Sequence, residues 1–137
     1  MKKGIYISIK PVHLNRIVTG KKNYEFRNYY PKEHIDVLYV YKSSPTCELK
    51  YIIELGEIVK YPNKIIKEGY GNDDFNNGLK SSKYAYGIKC LYELEGYISL
   101  KELKEKYGFN PPQSYAYDVR YEKLTEDINK MNVKRRI

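Results

Sequence analysis

The segment Gly20–Arg27, with the sequence GKKNYEFR, carries the residues whose types and spacing are best suited to chemistry. Its pattern predicts that Lys22 lies at a corner between a helix and a strand, and that Glu25 and Arg27 share one strand face. In such a cluster Arg27 could bind a phosphate and Glu25 the edge of a base. The same groups could instead perform acid–base chemistry. From spacing alone, a surface charge pair is the favoured interpretation.

Two further segments offer polar groups beside predicted strands. Ser43 and Ser44 precede Pro45 and could supply hydroxyl and backbone donors, although an ordinary turn is the favoured interpretation of these residues alone. Gln113 carries an amide that can pair with a base, and Tyr115 offers a ring for stacking. The alternative for this second segment is a structured loop whose tyrosine packs on the core.

The histidines and cysteines show no pattern typical of a metal site. His13 and His34 are interpreted as surface residues, and Cys47 and Cys90 as inert thiols in apolar strands, without a disulfide. The sequence also contains no Gly-rich phosphate loop and nothing that resembles a Ser–His–Asp or Cys–His nucleophile system. We therefore expect neither a metal ion nor a cofactor.

The elements that must position these residues are mostly strands. Ile5, Ile7 and Ile9 alternate and predict a first strand with one buried face, followed by a helix that begins at Pro11 and ends at Gly20. Further strands are predicted at residues 24–27, 37–41, 49–59 and 83–94. A second principal helix is predicted from the capping box at residues 99–102 to Gly108.

Weaker signals complete the chain. They predict a short helix around Lys64–Glu68 followed by a mobile loop, an extended segment at residues 111–115, and one short helix from Thr125. Together the elements predict an α+β fold, a mixed β-barrel of about five to six strands with two principal helices. We expect a single domain over residues 1–137, with a core of about 5–118 and a C-terminal extension at 119–137.

The positive charge is concentrated at the start of the chain. Residues 1–32 contain eight Lys and Arg residues against one acidic residue, Glu25, whereas the remainder contains 17 basic and 16 acidic residues. A basic patch of this kind attracts polyanions. The lysine-rich composition of an AT-rich genome is the alternative explanation. No apolar stretch approaches the length of a membrane helix and no signal peptide is recognised, so we expect no membrane association and a cytoplasmic location.

Four segments, taken in order, resemble the ASCH domain family, a branch of the PUA-like superfamily. They are the elements SIKP, GKKNYEFR, SSP and PPQSY, which together span about residues 5–118. The resemblance implies a PUA-like β-barrel with a helix after the first strand, and a cleft beside that helix that binds RNA or a nucleotide. Carried over to this sequence, it implies as site residues Lys10, Lys22, Glu25, Arg27, Ser43, Ser44 and Gln113.

The family resemblance also implies an alternative function, that of an enzyme. Some small ASCH-like proteins resemble amidohydrolases of acetylated cytidine that use a lysine and a threonine of this segment together with a later glutamate. Lys22 matches the lysine, but Glu25 occupies the threonine position, where a carboxylate would act as a base or an acceptor. Other members have been proposed as nucleases, so the family does not determine one activity.

The leading hypothesis is a binding module for RNA or a modified nucleotide, with DNA as a possible ligand. Lys2, Lys3, Lys21 and Lys22 would attract phosphates, whereas Arg27, Glu25, Gln113 and Tyr115 would contact a phosphate or base. One alternative is a hydrolase, either an amidohydrolase or a ribonuclease, with Lys22 and Glu25 as its catalytic pair. The other is a protein-interaction module that docks an acidic partner. The oligomeric state is not predicted.

Overall fold

The computed structural model of the protein describes residues 2–137 and shows an α+β fold. In the described part of the chain, seven strands form one mixed sheet that curls into a half-barrel. The strands are β1 (Gly4–Ile9), β2 (Tyr24–Arg27), β3 (Val37–Lys42), β4 (Glu48–Lys60), β5 (Tyr84–Ser99), β6 (Ala116–Tyr117) and β7 (Val133–Arg135). The helices are α1 (Pro11–Val18), α2 (Asn72–Asn76), α3 (Leu100–Tyr107) and α4 (Glu122–Lys130). The predicted fold class is confirmed.

The sheet path runs β2-β5-β4-β3-β1-β6, and β7 pairs with β5. β1 is parallel to β3 and antiparallel to β6, which makes the sheet mixed. β4 and β5 are long, and their pairing is irregular next to Gly56. β2 contacts the rest of the sheet through β5, so the position of the GKKNYEFR segment depends on that pairing.

Strand β1 is buried on both faces. Ile5, Ile7 and Ile9 pack on one side against Leu14 and Ile17 of α1, as the alternation and the helical spacing predict. The opposite face carries Tyr6, which is also fully buried, in a second cluster with α3 and α4. Each such buried side chain contributes about 1.5–3 kcal/mol, so α1 is held firmly to the sheet.

Both principal helices begin and end as predicted. Pro11 opens α1, and Gly20, at φ 80°, follows its last turn. The hydroxyl of Ser99 accepts a hydrogen bond from the backbone N–H of Glu102, and Gly108 ends α3 in the left-handed conformation at φ 63°.

The prediction of a helix around Lys64–Glu68 is wrong. The helix in this region is α2, which begins eight residues after Lys64. Its Phe75 is buried against Tyr24 and Val59. The side chain of Asn76 donates to the carbonyl of Ile65 and accepts from its N–H, which satisfies an extended backbone. These contacts are non-local, so helical propensity could not predict them.

The end of the chain differs in extent from the prediction. The last helix begins at Glu122 rather than at Thr125, after a 3-10 turn at Asp118–Tyr121. Leu124 and Ile128 of this helix are fully buried in the cluster that contains Tyr6. β5 extends to Ser99, five residues beyond its predicted end, because β7 and the start of β4 pair with its second half.

Candidate functional site

The site is a polar cleft of about 410 Å³ where β1, α1, β2 and residues 111–115 meet. The volume is in the range of small-ligand sites. Its floor is the C-terminal end of β1, and its walls are the first turn of α1 and the strand β2. The residues that line it are Ser8, Ile9, Lys10, His13, Glu25, Phe26, Arg27, Asn28, Tyr29, Ser82, Gln113 and Ser114.

A buried ion network forms one wall of the cleft. Lys22 Nζ lies 2.6 Å from Glu25 Oε1, and Nη2 of Arg27 lies 2.7 Å from Glu25 Oε2. The Nε of Arg27 donates to the same oxygen at 3.1 Å, so the guanidinium is bidentate toward it. The surface charge pair favoured from spacing is therefore wrong, because the side chains of Lys22 and Glu25 are each only 6% exposed.

The network fixes the charge state of Glu25. Burial by itself raises the pKa of this carboxyl, but the positive charges of Lys22 and Arg27 and their hydrogen bonds outweigh it. The pKa of Glu25 is consequently held below its ordinary value. Both carboxylate oxygens already accept hydrogen bonds, so Glu25 has little capacity left to take up a proton from a ligand.

Arg27 is oriented by Glu25 and Ser8 and lines the cleft. Its Nη2 also donates to the carbonyl of Ser8 at 2.9 Å, in addition to Glu25. Arg27 lines the cleft, where its guanidinium also interacts with the hydroxyl of Tyr29. The carboxylate of Glu25 outweighs the effect of burial and raises the pKa of Arg27, so this donor remains charged.

The opposite wall is the predicted extended segment, which is docked onto β1 and β2. Ser8 Oγ donates to the carbonyl of Pro112 at 2.8 Å, and the hydroxyl of Tyr29 donates to the carbonyl of Ser114 at 2.9 Å. Gln113 lies between these anchors with its side chain exposed at the cleft. The amide of Gln113 lines the cleft together with Arg27, and it has no hydrogen-bond partner within residues 2–137.

The interpretation of His13 as a surface residue is wrong, because this histidine lines the cleft. It lies one turn after Lys10 in α1, and this i, i+3 spacing was the signal available from the sequence. Its Nδ1 is shielded from solvent and has no hydrogen-bond partner within residues 2–137. Burial, and then the positive charge of Lys22, lowers the pKa of His13, so the ring is neutral near pH 7.

The structure thus brings together only some of the predicted site residues. Lys10, Glu25, Arg27 and Gln113 line the cleft, and Lys22 lies behind Glu25, with its Nζ 5.5 Å from the centre of the Phe26 ring. Ser43 is near the rim, since its N–H donates to the carbonyl of Ile9, whereas Ser44 is an exposed turn residue.

Other predicted residues lie elsewhere. Tyr115 packs its ring 5.1 Å from that of Tyr29 and faces a separate depression. Lys2 and Lys3 lie at the N-terminal end of β1, where they pair with Glu54 at 3.0 Å and Glu33 at 2.9 Å. That end is about 17 Å from the cleft, given the rise of about 3.3 Å per strand residue. The basic N-terminal segment is therefore not one continuous patch.

A larger cavity of about 670 Å³ lies between the sheet and α4, with Lys2 at its rim. Its walls are largely apolar, including Val37, Ile52 and Met131, and it lacks a cluster of free donors. The smaller polar cleft is therefore the better candidate site. Within residues 2–137, no three His, Cys, Asp or Glu side chains converge to hold a metal ion. No helix of that part of the chain is long and apolar enough to cross a membrane.

Comparison with known proteins agrees with this architecture. The structure resembles the crystal structure of the ASCH protein from Zymomonas mobilis, with a TM-score of 0.68 and 24% identity, over 95% of this chain and 96% of that one. Two point variants of that protein, one Ser to Ala and one Tyr to Phe, match with the same TM-score at 24% and 23% identity. These matches cover 96% of this chain and 98% and 100% of the variants. At this level of sequence identity, the structural similarity shows that the proteins share a fold.

A search among curated proteins gives no match. The model of the ASCH domain, in contrast, matches residues 7–136, nearly the whole chain. The ASCH domain is a PUA-like fold that is often linked to RNA binding. The chain therefore belongs to the ASCH domain family.

Proposed function

We propose that the protein binds RNA or a nucleotide, and that the cleft between α1, β2 and residues 111–115 holds a phosphate and its attached base. The observation that carries this proposal is the charged guanidinium of Arg27, which Glu25 and Ser8 hold in place in the wall of a cleft of nucleotide size. Arginine in such a fixed orientation is well suited to phosphate recognition.

The surrounding groups suit a phosphate with a base attached. Lys10 lies at the start of α1 and adds positive charge, while Gln113 offers an amide donor and acceptor to a base edge. Phe26 and Tyr29 supply aromatic surface in the same wall. The only carboxylate that lines the cleft within residues 2–137 is Glu25, and its charge is compensated by Lys22 and Arg27.

The hydrolase alternative receives less support from this geometry. A general base works best when its pKa lies near the operating pH. Here the pKa of Glu25 is held low, and both of its oxygens accept hydrogen bonds from cations. We therefore assign Lys22 and Glu25 the role of orienting Arg27, rather than that of a catalytic pair.

Binding is tested with matched lysine variants. Lys10→Gln removes a cation at the cleft, and Lys3→Gln removes one at the far end of β1 that already pairs with Glu33. Neither lysine is buried, so both variants should fold. We expect Lys10→Gln to weaken the binding of a labelled single-stranded RNA and to reduce its log–log salt slope by about 0.7, the contribution of one phosphate contact.

The Lys3→Gln variant should retain the wild-type affinity and slope. Equal losses in the two variants would mean that binding is diffuse, and no binding of RNA or of nucleoside monophosphates at low salt would refute the proposal. In that case, recovery of one acidic protein with the purified chain would favour the protein-docking alternative.

A further inference from the structure

A row of basic side chains leads out of the cleft along α1. Lys10, His13 and Arg16 follow one another at a spacing of three residues, which places them on one oblique ridge of the helix. The first two line the cleft, and the third lies beyond it. The ridge is about 9 Å long at 1.5 Å per residue.

The ridge ends at an aromatic platform formed by Tyr70. The guanidinium carbon of Arg16 lies 4.0 Å from the centre of the Tyr70 ring, and this tyrosine remains 47% exposed. Its backbone N–H donates to the carbonyl of Lys21 at 2.9 Å, so the predicted phosphate-attracting Lys21 lies beside the platform rather than in the cleft. An exposed tyrosine and arginine in contact offer two flat surfaces on which a base can stack.

The platform is held in place by buried contacts. Asn72 is 1% exposed and donates its amide to Oδ1 of Asn23 at 3.0 Å, while Asn23 donates to the carbonyl of Glu68 at 2.9 Å. Gly71 packs so closely on Phe26, which lines the cleft, that an added Cβ would lie 2.9 Å from the ring. The surface of Tyr70 is therefore ordered before any ligand binds, which lowers the entropic cost of binding.

We use the term route for the surface that leads from the cleft along α1 to Tyr70. The charges along this route are available to a ligand. Four cations of the basic N-terminal segment, namely Lys2, Lys3, Lys22 and Arg27, form ion pairs with acidic residues. Among residues 2–137, no acidic side chain forms an ion pair with Lys10, Arg16 or Lys21. All three of these lysine and arginine residues lie on the route from the cleft to Tyr70.

We infer that the ligand of the cleft is a single-stranded nucleic acid of several nucleotides, whose chain continues along Lys10, His13 and Arg16 and stacks a base on Tyr70. This inference rests on the proposed function and extends it, because a free nucleotide would fill the cleft and leave the ridge unused. The length of the ridge corresponds to two or three steps of about 3.4 Å in a stacked strand.

The test compares uridine monophosphate with fluorescent oligouridylates of two, four and eight nucleotides, and with DNA of the same lengths. We expect affinity to rise at least tenfold from the mononucleotide to the four-nucleotide RNA and then to level off. Tyr70→Ala should weaken the binding of the four-nucleotide RNA by about 10- to 100-fold, as expected for the loss of one stacked base. The same variant should leave mononucleotide binding unchanged.

Tyr97→Ala is the matched control, because Tyr97 is also exposed, at 58%, but lies near α3 and α4. It should retain binding of every probe, and Tyr70→Phe should retain most of it. Equal affinity for one and eight nucleotides, or equal effects of Tyr70→Ala and Tyr97→Ala, would overturn the route while leaving the cleft proposal intact. The cleft proposal is tested separately, by the effect of Lys10→Gln on mononucleotide binding. DNA that binds as tightly as RNA would show that the route accepts either type of strand.

Discussion

Nζ of Lys22 lies 2.6 Å from Oε1 of Glu25, and both side chains are buried. A buried ion pair often contributes little net stability, because desolvation offsets the attraction. The effect of this ion pair is instead on the position of Arg27. Glu25 uses its other oxygen to hold two nitrogens of Arg27, and this contact fixes the guanidinium in the wall of the cleft.

Removing one member of this network should destabilise the protein strongly. Glu25→Ala leaves the charges of Lys22 and Arg27 without their partner, and we expect a loss of about 3–5 kcal/mol in the free energy of unfolding. Glu33→Ala removes an exposed carboxylate that pairs with Lys3, and it should cost about 1 kcal/mol or less. Urea denaturation at pH 7 measures both values. Similar small losses in the two variants would show that the network is not desolvated.

Acid should weaken the same network. The pKa of Glu25 in the folded protein lies below its ordinary value of 4.5, so the unfolded chain takes up a proton more readily. The stabilising contribution is therefore complete above about pH 4.5 and is lost as the pH falls through the folded-state pKa. We expect the stability difference between wild type and Glu25→Gln to shrink between pH 7 and pH 3. Urea titrations across this range measure it, and a constant difference would contradict the assigned charge state.

The sequence predicted the local parts of this site well. The position of α1 follows from Pro11, the spacing of Leu14 and Ile17, and Gly20, all of which act within the helix itself. The extended segment around Gln113 follows from the two prolines before it, because each restricts the preceding residue.

The parts that could not be predicted depend on contacts between distant segments. Alternation puts Glu25 on the strand face opposite Tyr24 and Phe26, which suggests exposure to solvent, and only the tertiary structure shows that this face is buried. Residues 64–76 have ambiguous propensities, and α2 forms where Phe75 can be buried. The spacing of His13 from Lys10 is a weak signal, and only the tertiary structure places this histidine in the cleft.

The pairing that holds β2 should be sensitive to one glycine. Gly87 pairs with Tyr24, and a Cβ at this position would lie 2.8 Å from the backbone oxygen of Glu57, which cannot move aside easily. We expect Gly87→Ala to cost about 1–3 kcal/mol. Gly56→Ala is the control, because its Cβ would meet nothing closer than 3.7 Å, and its effect should stay within about 0.5 kcal/mol. Urea midpoints compare the two, and equal stability would mean that the β4–β5 bulge relaxes.

The cleft should bind an anion more tightly below pH 6.5 because of His13. Burial and the nearby charge of Lys22 lower the pKa of this imidazole below its ordinary value of 6.5, so it is neutral in the free protein at pH 7. As the pH falls through the folded-state pKa, His13 gains a positive charge inside the cleft, and a bound phosphate favours this protonation. Affinity for an anion should therefore increase as the pH is lowered from 7.5 to 5.5.

The probe for this measurement must keep a constant charge. A terminal phosphate titrates near pH 6, whereas the phosphodiester of a dinucleoside monophosphate keeps its single negative charge across the range. Calorimetric titration with uridylyl-uridine should show the increase for the wild type and a flat profile for His13→Gln. The variant retains Lys10, Arg16, Lys22 and Glu25, so a difference between the two profiles belongs to His13. Parallel profiles would place the bound phosphate away from His13 and toward Gln113.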